Sequence, residues 1–103
     1  MNTVLVVDDK DLMRDSVSQT LERAGFQIVA APDARAALDL IAQRRPDCVV
    51  SDFKMPGMTG LELLEAIRRI DEDLPLVLMT AYGTIETAVK AMRLGAHDCL
   101  SKP

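Results

Sequence analysis

The sequence predicts a single α/β domain built on a parallel sheet, and three observations carry that prediction. Short continuous apolar runs, rich in Val, Leu and Ile, recur along the chain at 3–7, 26–30, 47–52, 76–79 and 97–100. Runs of that kind are expected of strands buried on both faces, as in parallel sheets. Between them lie longer segments whose apolar residues return every three or four positions, the spacing of a helix with one buried stripe. The alternation is strict, (βα)₄β, with short connections. That order means right-handed crossovers and helices on both faces of the sheet.

Length and composition set the frame. A chain of 103 residues is one domain by size, and with 49% hydrophobic residues it can fill one core. Aromatics make up only 3% and there is no Trp, so that core is aliphatic. The net charge of -4 speaks against nucleic acid as the direct partner. No apolar run approaches the ~20 residues of a membrane span, and the N-terminus lacks the basic and apolar regions of a signal peptide. Cys48 and Cys99 both lie in apolar runs. They read as reduced core thiols of a cytoplasmic protein, not as a disulfide.

The elements follow in order. Thr3–Val7 is the first strand and stops at Asp8-Asp9. The first helix runs over 10–24, with Met13, Val17, Leu21 and Ala24 on its inner face and Gly25 as its stop. Phe26–Ala30 is the second strand. Asp33 is placed to cap a second helix whose inner stripe is Ala34, Ala37, Leu38 and Ile41, and Arg44-Arg45-Pro46 ends it. The third strand, Asp47–Asp52, leads into a loop at Met55–Gly60 that holds two glycines and a proline. A third helix over 60–70 turns Leu64, Ile67 and Ile70 inward, and Asp71-Glu72-Asp73 is a solvated turn. Leu76–Met79 is the fourth strand. Thr84 caps a fourth helix carrying Ile85, Ala88, Val89 and Met92, ended by Gly95, and the fifth strand is His97–Leu100. One more helix would continue the alternation, over the face shared with the first helix. Without it, a strip of apolar surface is expected there.

The chemistry-bearing residues gather at one edge. The C-terminal ends of the strands deliver Asp8 and Asp9, then Asp52, then Thr80, then Lys102. In a parallel sheet these ends point the same way, and open α/β sheets bind ligands there. Three carboxylates packed together repel one another unless a hard divalent cation sits among them, and Mg²⁺ suits carboxylate and carbonyl oxygens. Thr80 offers a hydroxyl donor and Lys102 a point positive charge. Nucleophile, metal, hydroxyl and ammonium together suit carboxylate attack on phosphorus, with Asp52 as the nucleophile. Each residue also has a plainer reading: Asp9 and Thr80 as helix caps, Asp52 as the start of a turn, Lys102 as a solvated lysine. Only their joint occurrence at strand C-termini favours the chemical reading.

The motifs then resemble a known family. Val6-Val7-Asp8-Asp9, Asp52 followed by Met55-Pro56-Gly57-Met58-x-Gly60, Thr80-Ala81, Gly95-Ala96-x-Asp98 and Lys102-Pro103 stand in the order and spacing of the receiver domain of two-component response regulators. The stretch from Met79 to Val89 is most similar to receivers of NtrC-type, sigma-54-dependent transcription activators. The resemblance implies a flavodoxin-like doubly wound sheet of strand order 2-1-3-4-5. It implies that Asp52 is the phosphoacceptor. Asp8, Asp9, Asp52 and the backbone carbonyl of Lys54 would hold Mg²⁺, and Thr80 and Lys102 would contact the phosphoryl group. It implies a Lys102-Pro103 peptide that is often cis, and Lys54 and Tyr82 as residues that tune the phosphoryl lifetime. The phosphodonor would be a phosphohistidine on a sensor histidine kinase. The partners would be an ATPase and a DNA-binding output domain linked in the same protein, and a second copy as a homodimer, with no direct nucleic-acid or membrane contact by this domain.

The chain departs from the family pattern at Cys99, where an aromatic is usual. Thr80, Tyr82 and Cys99 are the switch and output positions, and Cys99 is too small to swing as that aromatic does. Lone His97 reads as a strand-edge residue, and the methionines read as packing. Two other functions share parts of the same residue set. An aspartyl-phosphate phosphatase would want a second carboxylate two residues after the nucleophile, where this chain has Lys54. A pure interaction module would not need the full acceptor set.

Overall fold

A computed structural model of the chain describes residues 2–79, 95 and 96 in full, and the backbone course of 80 and 98–101. Its elements in chain order are β1 (Thr3–Val7), α1 (Asp11–Arg23), β2 (Gln27–Ala31), α2 (Ala34–Gln43), β3 (Cys48–Asp52), α3 (Gly60–Ile70), β4 (Leu76–Thr80) and β5 (Asp98–Ser101). The expected fourth helix and His97 lie outside the described residues. The five strands pair in parallel in the order β2-β1-β3-β4-β5. That is the doubly wound, flavodoxin-like order expected from the family resemblance.

The sheet's two faces are filled differently. Leu5, Val7, Val49, Leu76 and Leu78 lie on one face and join Ala34, Ala37, Ile41, Leu63, Leu64 and Ile67 from α2 and α3 in one buried cluster. On the opposite face, which α1 shares, Val4 and Val6 are buried, whereas Cys48, Val50, Val77 and Met79 are only half-buried.

The helices start and stop where local chemistry tells them to. Asp33 caps α2 as expected: its carboxylate accepts the Ala36 N–H at 2.8 Å. α3 has a capping box. Thr59 Oγ1 accepts the Glu62 N–H at 3.2 Å, and Glu62 accepts the Thr59 N–H at 3.0 Å. Its signature, Thr59-x-x-Glu62, stands in the sequence. Gly25 ends α1 with a φ of +100°, which the missing Cβ permits.

Two residues expected to face inward, Ile70 and Ala24, are exposed. Ile70 is 63% exposed. It closes the last turn of α3, where the core position at that end is taken by Leu74 from the following turn, fully buried in the cluster. That turn is solvated as expected at Glu72 and Asp73, with Asp71 partly covered and bound to Arg45. On α1, Ala24 is exposed as the C-cap residue, and Met13, Val17 and Leu21 are half-buried. Ser18 is instead the buried residue of α1, a small side chain where the helix packs on β1 and β2.

Candidate functional site

Register alone brings the first two acids together. Val7 of β1 pairs with Ser51 of β3, so the next residues along, Asp8 and Asp52, leave neighbouring strand ends side by side. Both are buried, at 4% and 5% exposure, and Asp9 is half-buried. Carboxylate oxygens of Asp8, Asp9 and Asp52 lie within 4.8 Å of one another.

Backbone donors hold the acids in place. Asp8 donates its N–H to the Ala31 carbonyl at 3.2 Å, extending the β1–β2 ladder by one residue. Its Oδ1 accepts the Lys10 N–H at 3.0 Å, and its backbone carbonyl accepts from Arg14 Nη1 at 2.9 Å. Arg14 is a site-supporting residue that the sequence reading missed; an arginine on an amphipathic helix carries no signal of reaching back to a strand end. At β3, Ser51 Oγ donates to the Asp52 carbonyl at 3.0 Å, and the Phe53 N–H continues the ladder to the Met79 carbonyl at 2.9 Å.

Asp9 Oδ1 is buried and has no hydrogen-bond partner among the described residues. A buried carboxylate oxygen left bare is costly unless something cationic meets it. Carboxylates supply acceptors only, so three of them brought this close together fit a hard divalent cation with oxygen ligands, as Mg²⁺ is. The Asp9 side opens into a groove of about 340 Å³ lined by Asp9, Lys10, Lys54, Met55 and Pro56. Lys54 is exposed at its rim, and buried Met55 anchors the loop beneath. Gly57, with a φ of +77°, makes the turn after Pro56.

The other expected site residues are placed in part. Thr80 ends β4, one residue beyond Met79, which pairs with Asp52; Thr80 itself pairs with Ser101. Cys99 lies on β5 opposite Leu78. Lys102, Tyr82 and the Lys102-Pro103 peptide lie outside the described residues. Among the described residues no helix is long and apolar enough to cross a membrane.

Comparison with known proteins agrees with this geometry. The chain is 47% identical over 100 residues to the response regulator protein FleR of Pseudomonas aeruginosa, covering 97% of this chain and 21% of FleR. It is 43% identical over 100 residues to the transcriptional regulatory protein FixJ of Bradyrhizobium diazoefficiens, covering 97% of this chain and 49% of FixJ. The chain therefore spans half or less of these relatives. The crystal structure of the receiver domain of NtrX from Brucella abortus superposes with a TM-score of 0.91 at 41% identity, covering 97% of this chain and 85% of that one. A response regulator from Burkholderia pseudomallei, solved with a phosphorylated aspartic acid, a calcium ion and citrate, superposes with a TM-score of 0.92 at 28% identity, covering 100% of this chain and 61% of that one. With the response regulator receiver domain model matching residues 4–103, the chain belongs to the receiver domain family of two-component response regulators.

Proposed function

We propose that the domain is a phosphorylation-dependent switch in which Asp52 accepts a phosphoryl group from a phosphohistidine of a sensor histidine kinase. The observation that carries this reading is the convergence of the Asp8, Asp9 and Asp52 carboxylates, together with an Asp9 oxygen that is buried with no hydrogen-bond partner among the described residues. Asp8, Asp9, Asp52 and the Lys54 carbonyl would hold Mg²⁺. When bound, the ion supplies charge neutralisation for the transferring phosphoryl oxygens.

An Asp52 carboxylate oxygen forms a bond to phosphorus as the donor's P–N bond breaks, and the donor imidazole leaves with the bonding pair and takes a proton from water. Asp52 is well set for this. Its backbone is pinned on β3 by the Ser51 hydroxyl and by the Phe53–Met79 ladder bond, so the nucleophile's position is fixed before the donor arrives. Thr80, one residue past the Asp52 partner in β4, donates its hydroxyl to a phosphoryl oxygen, and Lys102 offers its ammonium to the same group. Lys54 and Tyr82 tune the lifetime of the product. The added charge draws Thr80 in and shifts the segment that follows β4. Tyr82 and Cys99 stand at the switch and output positions. The related Burkholderia protein with its phosphorylated aspartic acid and calcium ion supports the reading.

The signal passes to an output domain in the same protein, a reading supported by the greater length of FleR and FixJ, of which this chain matches 21% and 49%. By likeness to the NtrC type, that output is a sigma-54-dependent ATPase with a DNA-binding domain, acting as a homodimer in the cytoplasm. Incubation with acetyl phosphate and Mg²⁺ should add the mass of one phosphoryl group to the wild type and nothing to Asp52→Asn. An unmodified wild type, or equal modification of the variant, would refute the assignment. Sustained release of phosphate from simple esters would point instead to a phosphatase.

A further inference from the structure

Gly60 is the first residue of α3, and it has no room for a side chain. A Cβ there would lie 2.5 Å from the backbone oxygen of Asp52, 2.8 Å from Leu78 Cδ2 and 3.0 Å from Phe53 Cα. Two of those three atoms are backbone of the phosphoacceptor strand and its first loop residue, and they cannot swing aside as a side chain can. The Asp52 carbonyl is held by the Ser51 hydroxyl at 3.0 Å, and the next N–H, of Phe53, is held by Met79 at 2.9 Å. Gly60 also donates its own N–H to the Phe53 carbonyl at 2.7 Å, so both ends of the 53–60 loop are tied at one point. Lys54 lies inside that loop, on the same groove as Asp9.

We propose that Gly60 is a positioning residue for the site: its missing side chain lets α3 rest on the Asp52–Phe53 peptide and so fixes where the Lys54 segment stands against the three carboxylates. The inference rests on the phosphoacceptor reading of Asp52. A side chain at position 60 pushes the helix start away from a peptide that is pinned on its other side. The displacement is taken up by the tied loop, which carries the Lys54 carbonyl with it. Shifts in the groups that orient a metal's ligands cost about 10- to 100-fold in affinity or activity.

The test compares wild type, Leu78→Val, Gly60→Ala and the double variant Gly60→Ala/Leu78→Val. Leu78→Val removes the Cδ2 contact but leaves the clash with the Asp52 carbonyl. Three quantities are read: melting temperature, affinity for Mn²⁺ alone by water-proton relaxation, and the initial rate of phosphoryl mass gain from acetyl phosphate. Gly60→Ala should melt lower, bind Mn²⁺ about tenfold more weakly and react about tenfold more slowly. Because Leu78 is itself fully buried in the core, its truncation costs stability of its own; the double variant should lose less melting temperature relative to Leu78→Val than Gly60→Ala loses relative to wild type, while affinity and rate stay low. It supplies the same comparison if Gly60→Ala alone does not fold. Wild-type affinity and rate in Gly60→Ala would overturn the proposal. So would recovery of affinity and rate in the double variant, since Gly60 would then act only through packing on Leu78. A wild type that binds Mn²⁺ but gains no phosphoryl group overturns the proposed function, with the Mn²⁺ comparison still deciding the role of Gly60. A wild type that binds no Mn²⁺ overturns both.

Discussion

Arg14 reaches back from the first turn and a half of α1 to donate a 2.9 Å hydrogen bond to the backbone carbonyl of Asp8. Its other guanidinium nitrogen pairs with Asp11. The first contact is part-buried and charge-assisted; the second involves an Asp11 side chain that is 82% exposed. The two are therefore unequal. Arg14→Ala should cost about 1–3 kcal/mol, because it strands a part-buried carbonyl, whereas Asp11→Ala should cost less than about 1 kcal/mol. Urea unfolding of the two variants checks the order, and equal losses would mean that the Asp8 contact adds nothing.

The carboxylate cluster should be destabilising on its own. Two unit charges 4.8 Å apart repel by about 1 kcal/mol in bulk water and about 3 kcal/mol at an effective dielectric of 20. Without divalent cation, Asp9→Asn should therefore stabilise the domain by about 1 kcal/mol, roughly 4–8 °C in melting temperature for a chain of this size. Added Mg²⁺ should raise the melting temperature of wild type well above its chelator-treated value, and that of the variant far less. Thermal scans with chelator and with Mg²⁺ give both comparisons. A variant that melts below wild type in chelator would contradict the repulsion argument.

Ile67 and Ile70 are one helical turn apart on α3 with opposite fates. Ile67 is fully buried, and Ile70 is mostly exposed. Ile67→Ala should cost about 2–5 kcal/mol through lost burial and a cavity. Ile70→Ala should stay within about 0.5 kcal/mol. Matched chemical denaturation curves decide it.

Arg45 and Asp71 join the loop after α2 to the C-cap of α3. The Arg45 guanidinium, hydrogen-bonded to the Asp71 carboxylate, holds that carboxyl below its ordinary value of 3.8, with the Asp73 N–H adding to the effect. A carboxyl depressed in the folded state contributes stability that is present above its unfolded pKa and is lost as pH falls through the lower folded value. The gap in melting temperature between wild type and Asp71→Asn should thus be steady near neutrality and close below about pH 3.8. The pair is at the surface, so the gap is small and should shrink with added salt. A gap that widens on acidification would reverse the sign.

Burial pushes the Cys48 thiol above its ordinary value. In a Cys99→Ser background, iodoacetamide should modify Cys48 more slowly in the native protein than in urea at the same mildly alkaline pH, because the thiolate is the reactive form. Mass spectrometry over time reads this directly, and equal rates would place the thiol in solvent.

Most of the framework was legible in the sequence, because its signals are local. Continuous apolar runs marked every strand to within about a residue, Asp33 and Gly25 marked helix boundaries, and the strand-end acids stood out as a set. Ile70 and Ala24 point to solvent, and the burial of Ser18 carries no sequence signal, because periodicity fixes which side chains share a face but not how far the covered surface extends along the helix. Leu74, arriving from a turn, took the core position that the pattern assigned to Ile70.

The sequence by itself determined the α/β alternation, the parallel sheet and the identity of Asp8, Asp9 and Asp52 as candidates. Each of these follows from residue type and short-range spacing. Tertiary structure decided what those candidates are to one another. The β1–β3 register set Asp8 beside Asp52. Chain folding buried Asp9 Oδ1 without a hydrogen-bond partner among the described residues, brought Arg14 back to the Asp8 carbonyl, and laid Gly60 on the Asp52 peptide too closely for any side chain. Those are through-space relations between residues far apart in the chain, set by how helices settle on a twisted sheet, and no local pattern encodes them.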